Sequence, residues 1–174
     1  VEKAKKLLAD AGYADRSRFP RFQFTFSDTS ANRLRAEFFQ GQMKQNLGID
    51  VTLEALDSRA YQQRFNAGQF TMVFGGWGMD YPDPDNFVAE LFRTGSGNNH
   101  THYSNSRVDA QARLCQSETD EKRRLSACME AQKLVVADQP WIFANYRERF
   151  WLLKPNVQGF QLTAKDSLPG YRYY

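Results

Sequence analysis

The chain is poor in the residues from which reactive centres are built. It has two cysteines and two histidines in 174 residues. No apolar run approaches the roughly 20 residues of a helical membrane span. Lysine and arginine are spread along the chain and the net charge is only +3, so no basic face marks it as a nucleic-acid binder. Gly75, Gly76 and Gly78 lack the spacing and the lysine of a dinucleotide or phosphate loop. Ser96 lies between Gly95 and Gly97, but a nucleophile elbow needs glycine two residues to either side, where this chain has Thr94 and Asn98. There is no Ser-His-Asp or Cys-His arrangement, no internal repeat and no low-complexity tract. An enzyme would need assembled catalytic groups, and the sequence offers none. A binding module fits better, with a pure interaction domain as a third class.

The scarce residues carry little metal chemistry. His100 and His102 alternate in a loop, so both can face one ion. No third ligand is evident, and a solvated loop is the plainer reading. No metal and no cofactor is expected. Cys115 and Cys128 fall in adjacent predicted helices. A hairpin turning near Ser117–Asp120 sets Cys115 opposite roughly residue 122, an axial offset of about 9 Å from Cys128 at ~1.5 Å per residue. Bridged Cα atoms lie within about 7 Å. A disulfide therefore requires the turn to lie further along, near residues 121–122.

What the chain does have is a globular composition, 41% apolar and 25% charged, on a length that sustains a core. It begins inside a helical pattern without a methionine, and it reads as cut from something longer. Ala4, Leu7, Leu8 and Ala11 predict a helix stopped by Gly12. Phe22-Gln23-Phe24-Thr25-Phe26 alternates like a half-buried strand. A helix comes next over 31–46, with Leu34, Phe38, Met43 and Leu47 near its stripe and Gly48 at its end. Residues 49–56 form a second strand. Asp57 or Ser58 caps a helix to Ala67, Gly68 stops it, and Phe70–Phe74 is a third strand. Phe22, Phe24, Phe26, Phe38 and Phe65 are assigned to the core. Strand, helix and strand in short succession spell βαβ units and a helix-covered sheet.

Further on, Asp83 caps a helix to Phe92 with Pro84 at its first position. A long polar loop spans 93–106; loops of this length are often functional or mobile. Residues 107–116 and 119–138 form a helical hairpin. In it Val108, Ala112 and Cys115 face Leu125, Cys128, Ala131, Leu134 and Val135. Lys122-Arg123-Arg124 reads as a solvated face. Residues 141–146 and 149–153 read as strands, Arg147, Glu148 and Arg149 as a turn, 157–160 as an extended piece, and Tyr171–Tyr174 as strand material.

The stretch that organises the rest is Gly75-Gly76-Trp77-Gly78-Met79-Asp80-Tyr81-Pro82-Asp83-Pro84. In open α/β sheets ligands sit beyond the carboxyl ends of strands, where this stretch falls. Glycines there let a ligand approach the backbone. Trp77 offers a flat apolar wall, although an indole is as often core. Asp83 and Asp85 are accounted for by the helix start. Asp80 has no such structural assignment, and a carboxylate there suits a ligand carrying an amine.

Four stretches resemble the solute receptors of bacterial ABC importers for oligopeptides, dipeptides and nickel (extracellular solute-binding family 5). They are Ala4–Tyr13, Leu47–Val51, Gly68–Met72 with Gly76–Pro84, and Asp138–Ile142 with Leu153–Gly159. The resemblance implies an α/β fold, one lobe of a two-lobed type II periplasmic-binding-protein-like architecture, with a mixed sheet flanked by helices. Residues 1–174 would then be a single C-terminal lobe, the N-terminal lobe being absent. It implies a non-catalytic protein of the periplasm or cell surface that delivers peptides to a membrane permease. Nickel chelates, sugars or another small solute are the alternative on the same scaffold. It further implies that Asp80 meets the ligand's α-amino group, that backbone at Gly76 and Gly78 extends the peptide's hydrogen bonding, and that Trp77 walls a side-chain pocket. Phe74 and Met79 complete the expected ligand-binding set. Some oligopeptide binders carry arginine where this chain has Phe74, so a carboxylate anchor must come from elsewhere. Half a cleft implies very weak binding in isolation.

Overall fold

The computed structural model describes residues 1–144 and 150–160. They fall into two compact units that meet in sequence between Gly76 and Trp77.

The first unit is built from βαβ crossovers. It contains α1 (Glu2–Asp10), β1 (Phe22–Ser27), α2 (Ser30–Leu47), β2 (Val51–Leu56), α3 (Ser58–Asn66) and β3 (Met72–Val73). Its sheet has the order β2-β1-β3. The register runs from Phe22 beside Val51 to Ser27 beside Leu56, and from Phe24 beside Met72 to Thr25 beside Val73. All three strands of this unit are parallel. Each is joined to the next through a helix, which is the connection parallel pairing requires.

The expected punctuation is in place. Gly12, Gly48 and Gly68 all take positive φ at helix ends. Asp57 accepts from the Arg59 and Ala60 amides at the start of α3. Strand β1 is not half-buried: Phe24, Thr25 and Phe26 are all buried in succession, because a central parallel strand is covered on both faces. Thr25 Oγ1 satisfies its buried hydroxyl by donating to Glu54 Oε2 at 2.8 Å. Arg64 in turn holds Glu54 at 2.7 Å.

The stripe of α2 differs from expectation. Leu34 and Phe38 are 68% and 70% exposed, while Ala36 is buried and Phe39, Met43 and Leu47 pack on the core. Phe39 rather than Phe38 meets Phe24, at 5.0 Å between ring centroids. One residue is about 100° of helix rotation, so seating Phe39 turns Phe38 outward. Phe65 is partly buried and stacks between Tyr61 and Phe70.

The second unit is helical: α4 (Asp85–Phe92), α5 (Ser106–Ser117) and α6 (Glu121–Asp138). Val108, Ala112 and Cys115 of α5 are buried with Cys128, Ala131 and Val135 of α6. Leu125, expected to face α5, is 37% exposed, while Leu134 packs on the core at its edge. Cys115 and Cys128 form a disulfide, with Cα atoms 4.8 Å apart. The link at 118–120 is where the simple hairpin placed it, yet the bridge forms. Glu118 and Asp120 are extended (ψ 133° and 115°). Extended residues reach about 3.3 Å each, enough to displace the start of α6 by several ångströms and restore the register.

The polar loop between α4 and α5 is ordered around buried Asn99. Its Nδ2 donates to the Arg93 and Tyr103 carbonyls, and its Oδ1 accepts from Thr101 Oγ1 and the Tyr103 amide. After α6, residues 141–144 and 150–153 are not strand; no partner edge pairs with them among the described residues. Ile142, Phe150 and Leu152 are exposed, while Trp141 packs on Phe92 at 4.9 Å. The piece over 157–160 is not simply extended: the Val157 amide closes a turn on the Lys154 carbonyl, and Gly159 has positive φ. The remainder of the expected hairpin, the turn at Arg147, Glu148 and Arg149, and Tyr171–Tyr174 lie outside the described residues.

Candidate functional site

Phe74 follows β3 directly and is engaged by the first unit. Its amide donates to the Thr25 carbonyl at 3.0 Å, and Tyr61 Oη donates to its carbonyl at 2.5 Å. Its ring packs at the edge of the sheet core, with the Arg35 guanidinium 5.6 Å from the ring centroid. Phe74 is thus a partly buried anchor for the glycines that come after it.

Beyond it the backbone is unpaired. Among the described residues, no hydrogen bond engages the amides or carbonyls of residues 75–79. The glycines differ in what they serve. A Cβ on Gly75 would lie 3.0 Å from Phe65 Cε2, whereas one on Gly76 or Gly78 would meet nothing within 4 Å among the described residues. Internal packing therefore accounts for the first glycine and not for the other two.

In the second unit a single buried amide organises the next residues. Asn86, in the first turn of α4, is 1% exposed. Its Oδ1 accepts from Trp77 Nε1 at 3.0 Å and from the Asp80 amide at 2.9 Å. Its Nδ2 donates to Asp80 Oδ2 at 3.4 Å. Trp77 is half-buried against the cluster of Leu91, Phe92, Val108 and Val135. Asp80 itself is exposed, and among the described residues no lysine or arginine lies within 4 Å of its carboxylate. Gly78 is exposed and Met79 half-buried.

The acids after Asp80 are structural, in keeping with a helix start. Pro84 has helical dihedrals, and Asp83 Oδ1 accepts from the Asp85 amide at 3.1 Å. What sequence reasoning missed is Arg124. It is no solvated cation: both of its terminal nitrogens donate to the Asp83 carboxylate. Those bonds are the main reason the Asp83 carboxyl is held down to about 2. Burial, and then the neighbouring Asp83, push the Asp85 carboxyl upward. Burial first, then Asp85, raises the Tyr81 phenol, whose hydroxyl donates to Asp85 Oδ2 at 2.9 Å.

The other candidates find local employment. Ser96 Oγ donates to the Glu90 carbonyl at 2.6 Å. Burial lowers the His100 imidazole, with His102 adding to the effect. Among the described residues no three His, Cys, Asp or Glu side chains converge as a metal site. Arg124 carried no local signal, since its partner Asp83 lies 41 positions away; Asn86 and Asn99, whose partners lie in the neighbouring stretch and loop, were simply not singled out.

A parallel sheet flanked by helices in this way has the fold of the type II periplasmic-binding-protein class. The chain belongs to the bacterial extracellular solute-binding proteins of family 5, whose Middle model matches residues 1–99. It is 29% identical over 159 residues to the dipeptide-binding protein DppE of Bacillus subtilis, an alignment covering 90% of this chain and 29% of that protein. It is 30% identical over 162 residues to the probable deoxycholate-binding periplasmic protein YgiS of Escherichia coli, covering 93% and 30%. Among solved structures, a periplasmic oligopeptide-binding protein from Borrelia burgdorferi superposes with a TM-score of 0.74 at 34% identity, over 80% of this chain and 28% of that one. The chain spans about three tenths of the length of the curated relatives it matches.

Proposed function

We propose that this chain is the C-terminal α/β lobe of a two-lobed solute receptor that binds peptides bearing a free α-amine. The receptor closes on its ligand about a hinge and delivers it to the permease of an ABC importer. It works in the periplasm or at the cell surface, associated with the membrane through the transporter, and performs no catalysis. The observation that carries the reading is Asp80: an exposed carboxylate with no cationic partner among the described residues, set at the end of unpaired backbone. A carboxylate–ammonium hydrogen bond contributes about 1.5–3 kcal/mol, felt mainly as selectivity. Backbone at Gly76 and Gly78 supplies main-chain hydrogen bonds, which tolerate varied sequences. Trp77 and Met79 line the neighbouring side-chain position, and Phe74 fixes the start of the stretch.

Relatives of this chain include proteins named for dipeptides and for deoxycholate. An unneutralised carboxylate repels an anionic ligand and attracts a cationic one, which favours the peptide. In the complete receptor, Asp80→Ala should weaken tri-alanine about tenfold or more and leave N-acetyl-tri-alanine nearly unchanged. Equal losses for the two peptides would refute the reading. Mass spectrometry of ligand co-purifying with the receptor gives a second check: a peptide mixture is expected, and a metal chelate or bile acid would overturn it.

A further inference from the structure

Among the described residues, Asn86 is the buried polar side chain whose bonds are spent on the candidate site. Asn99 is also buried, but all its bonds order its own loop. Asn86 instead reaches out of α4. One oxygen takes both the indole N–H of Trp77 and the amide of Asp80, and its nitrogen faces the Asp80 carboxylate. Burying a carboxamide is costly unless its groups are bonded. Here every bond of the side chain goes to the stretch before the helix. An apolar residue would fill the same space in α4 without making any of them.

We infer that Asn86 is a positioning residue for ligand recognition: its carboxamide locks the Trp77 indole and the Asp80 carboxylate into one fixed arrangement. This rests on the reading of Asp80 as the amine anchor and deepens it. The ligand so recognised is a primary ammonium carried next to an apolar group, the ammonium meeting the acid and the apolar group lying on the indole. Without Asn86 both partners remain in the chain, but their relative orientation is no longer set. A charge-assisted hydrogen bond depends steeply on direction, so the loss falls on the free-amine ligand.

The test uses the complete receptor, with tri-alanine and N-acetyl-tri-alanine as calorimetric probes. Asn86→Ala should cut the preference for the free amine about tenfold and change binding of the acetylated peptide by less than about threefold. Asn86→Asp keeps oxygen acceptors for both N–H groups but replaces the donor that faces the Asp80 carboxylate with a second acceptor, so the preference should fall, though less than in Asn86→Ala. Should Asn86→Ala fail to fold, Asn86→Ser keeps a small polar residue that cannot span both donors, and it should show the same selective loss. Full preference retained in the Ala or Ser variant would overturn the proposal, as would equal losses on both peptides. Asp80→Ala is run alongside. If it abolishes the preference while the Asn86 variants do not, the positioning role alone fails. If it too leaves the preference intact, the fault lies with the reading of Asp80.

Discussion

Arg124 closes on Asp83 through two hydrogen bonds of 2.9 Å, across 41 positions of the chain. Both side chains are largely covered, at 25% and 28% exposure. Asp83 also receives the Asp85 amide, so one carboxylate ties α6 to the start of α4. Asn86 lies one residue further on, and the same carboxylate therefore steadies the helix turn on which the Trp77 and Asp80 contacts depend.

This pair makes stability depend on acid. The Asp83 carboxyl is lowered from 3.8 to about 2. A depressed folded pKa contributes stability that is present above the unfolded value near 4 and is lost as pH falls through 2. Linkage alone would give about 2.5 kcal/mol; partial exposure reduces this to about 1 kcal/mol. Asp83→Asn keeps a capping oxygen but removes the charge. It should destabilise the protein by about 1 kcal/mol at pH 7 and by almost nothing near pH 2, as read from urea denaturation at both pH values. A deficit independent of pH would point to lost packing instead.

The disulfide should contribute to stability chiefly through the unfolded chain. Cys115 and Cys128 are both buried and 13 residues apart. Closing a loop of that size is worth about 3 kcal/mol in the chain-entropy view. Cys115→Ser with Cys128→Ser, or reduction with accessible thiols titrated afterwards, should lower stability by about 2–3 kcal/mol. Denaturant midpoints unchanged within error would contradict this.

The three glycines of the candidate site should separate stability from binding. Alanine at Gly75 brings a methyl within 3.0 Å of the Phe65 ring, and the ring must shift, at a cost of about 1 kcal/mol. Alanine at Gly76 or Gly78 meets nothing within 4 Å among the described residues and should leave the melting temperature unchanged or slightly raised. If a peptide lies along that backbone, these two variants should still weaken tri-alanine binding in the complete receptor. Calorimetry beside thermal melts separates the effects, and normal binding by both would remove the main-chain contact from the proposal.

Local features of this fold were legible because their causes are local. Gly48 and Gly68 stop helices through a backbone conformation glycine adopts without strain. Asp57 caps through a side chain two and three residues from its donors. Asp80 stood out because no capping role claimed it. The features that escaped depend on distant partners. Arg124 looked solvated because its carboxylate is 41 residues away. Phe38 looked buried because α2 offers more than one apolar face, and only the Phe24–Phe39 contact decides between them. The half-buried reading of β1 failed because alternation within a strand does not say whether both of its faces will be covered. Asn86 is one polar letter at a helix start until the helix is placed.

At alkaline pH the end of the polar loop should loosen from α6. Tyr103 Oη donates to Asp138 Oδ2 at 2.5 Å, and Asn105 Nδ2 donates to the same oxygen at 2.7 Å. These bonds fasten the end of the polar loop to the end of α6. Burial, and then Asp138, push the Tyr103 phenol from 10.0 up to about 12. The folded state thus prefers the neutral phenol. That preference is fully present below pH 10 and is lost as pH rises through 12. Tyr103→Phe keeps the ring packing on Phe92, whose centroid is 6.3 Å away, but cannot donate to Asp138. The variant should melt lower at pH 8, and the gap should close as pH approaches 12. Absorbance at about 295 nm should show one more tyrosine titrating well above the ordinary range near 10 in the unaltered protein than in the variant. Melting curves that stay a fixed interval apart from pH 8 to 12 would mean that the phenol does not hold its proton for the sake of Asp138.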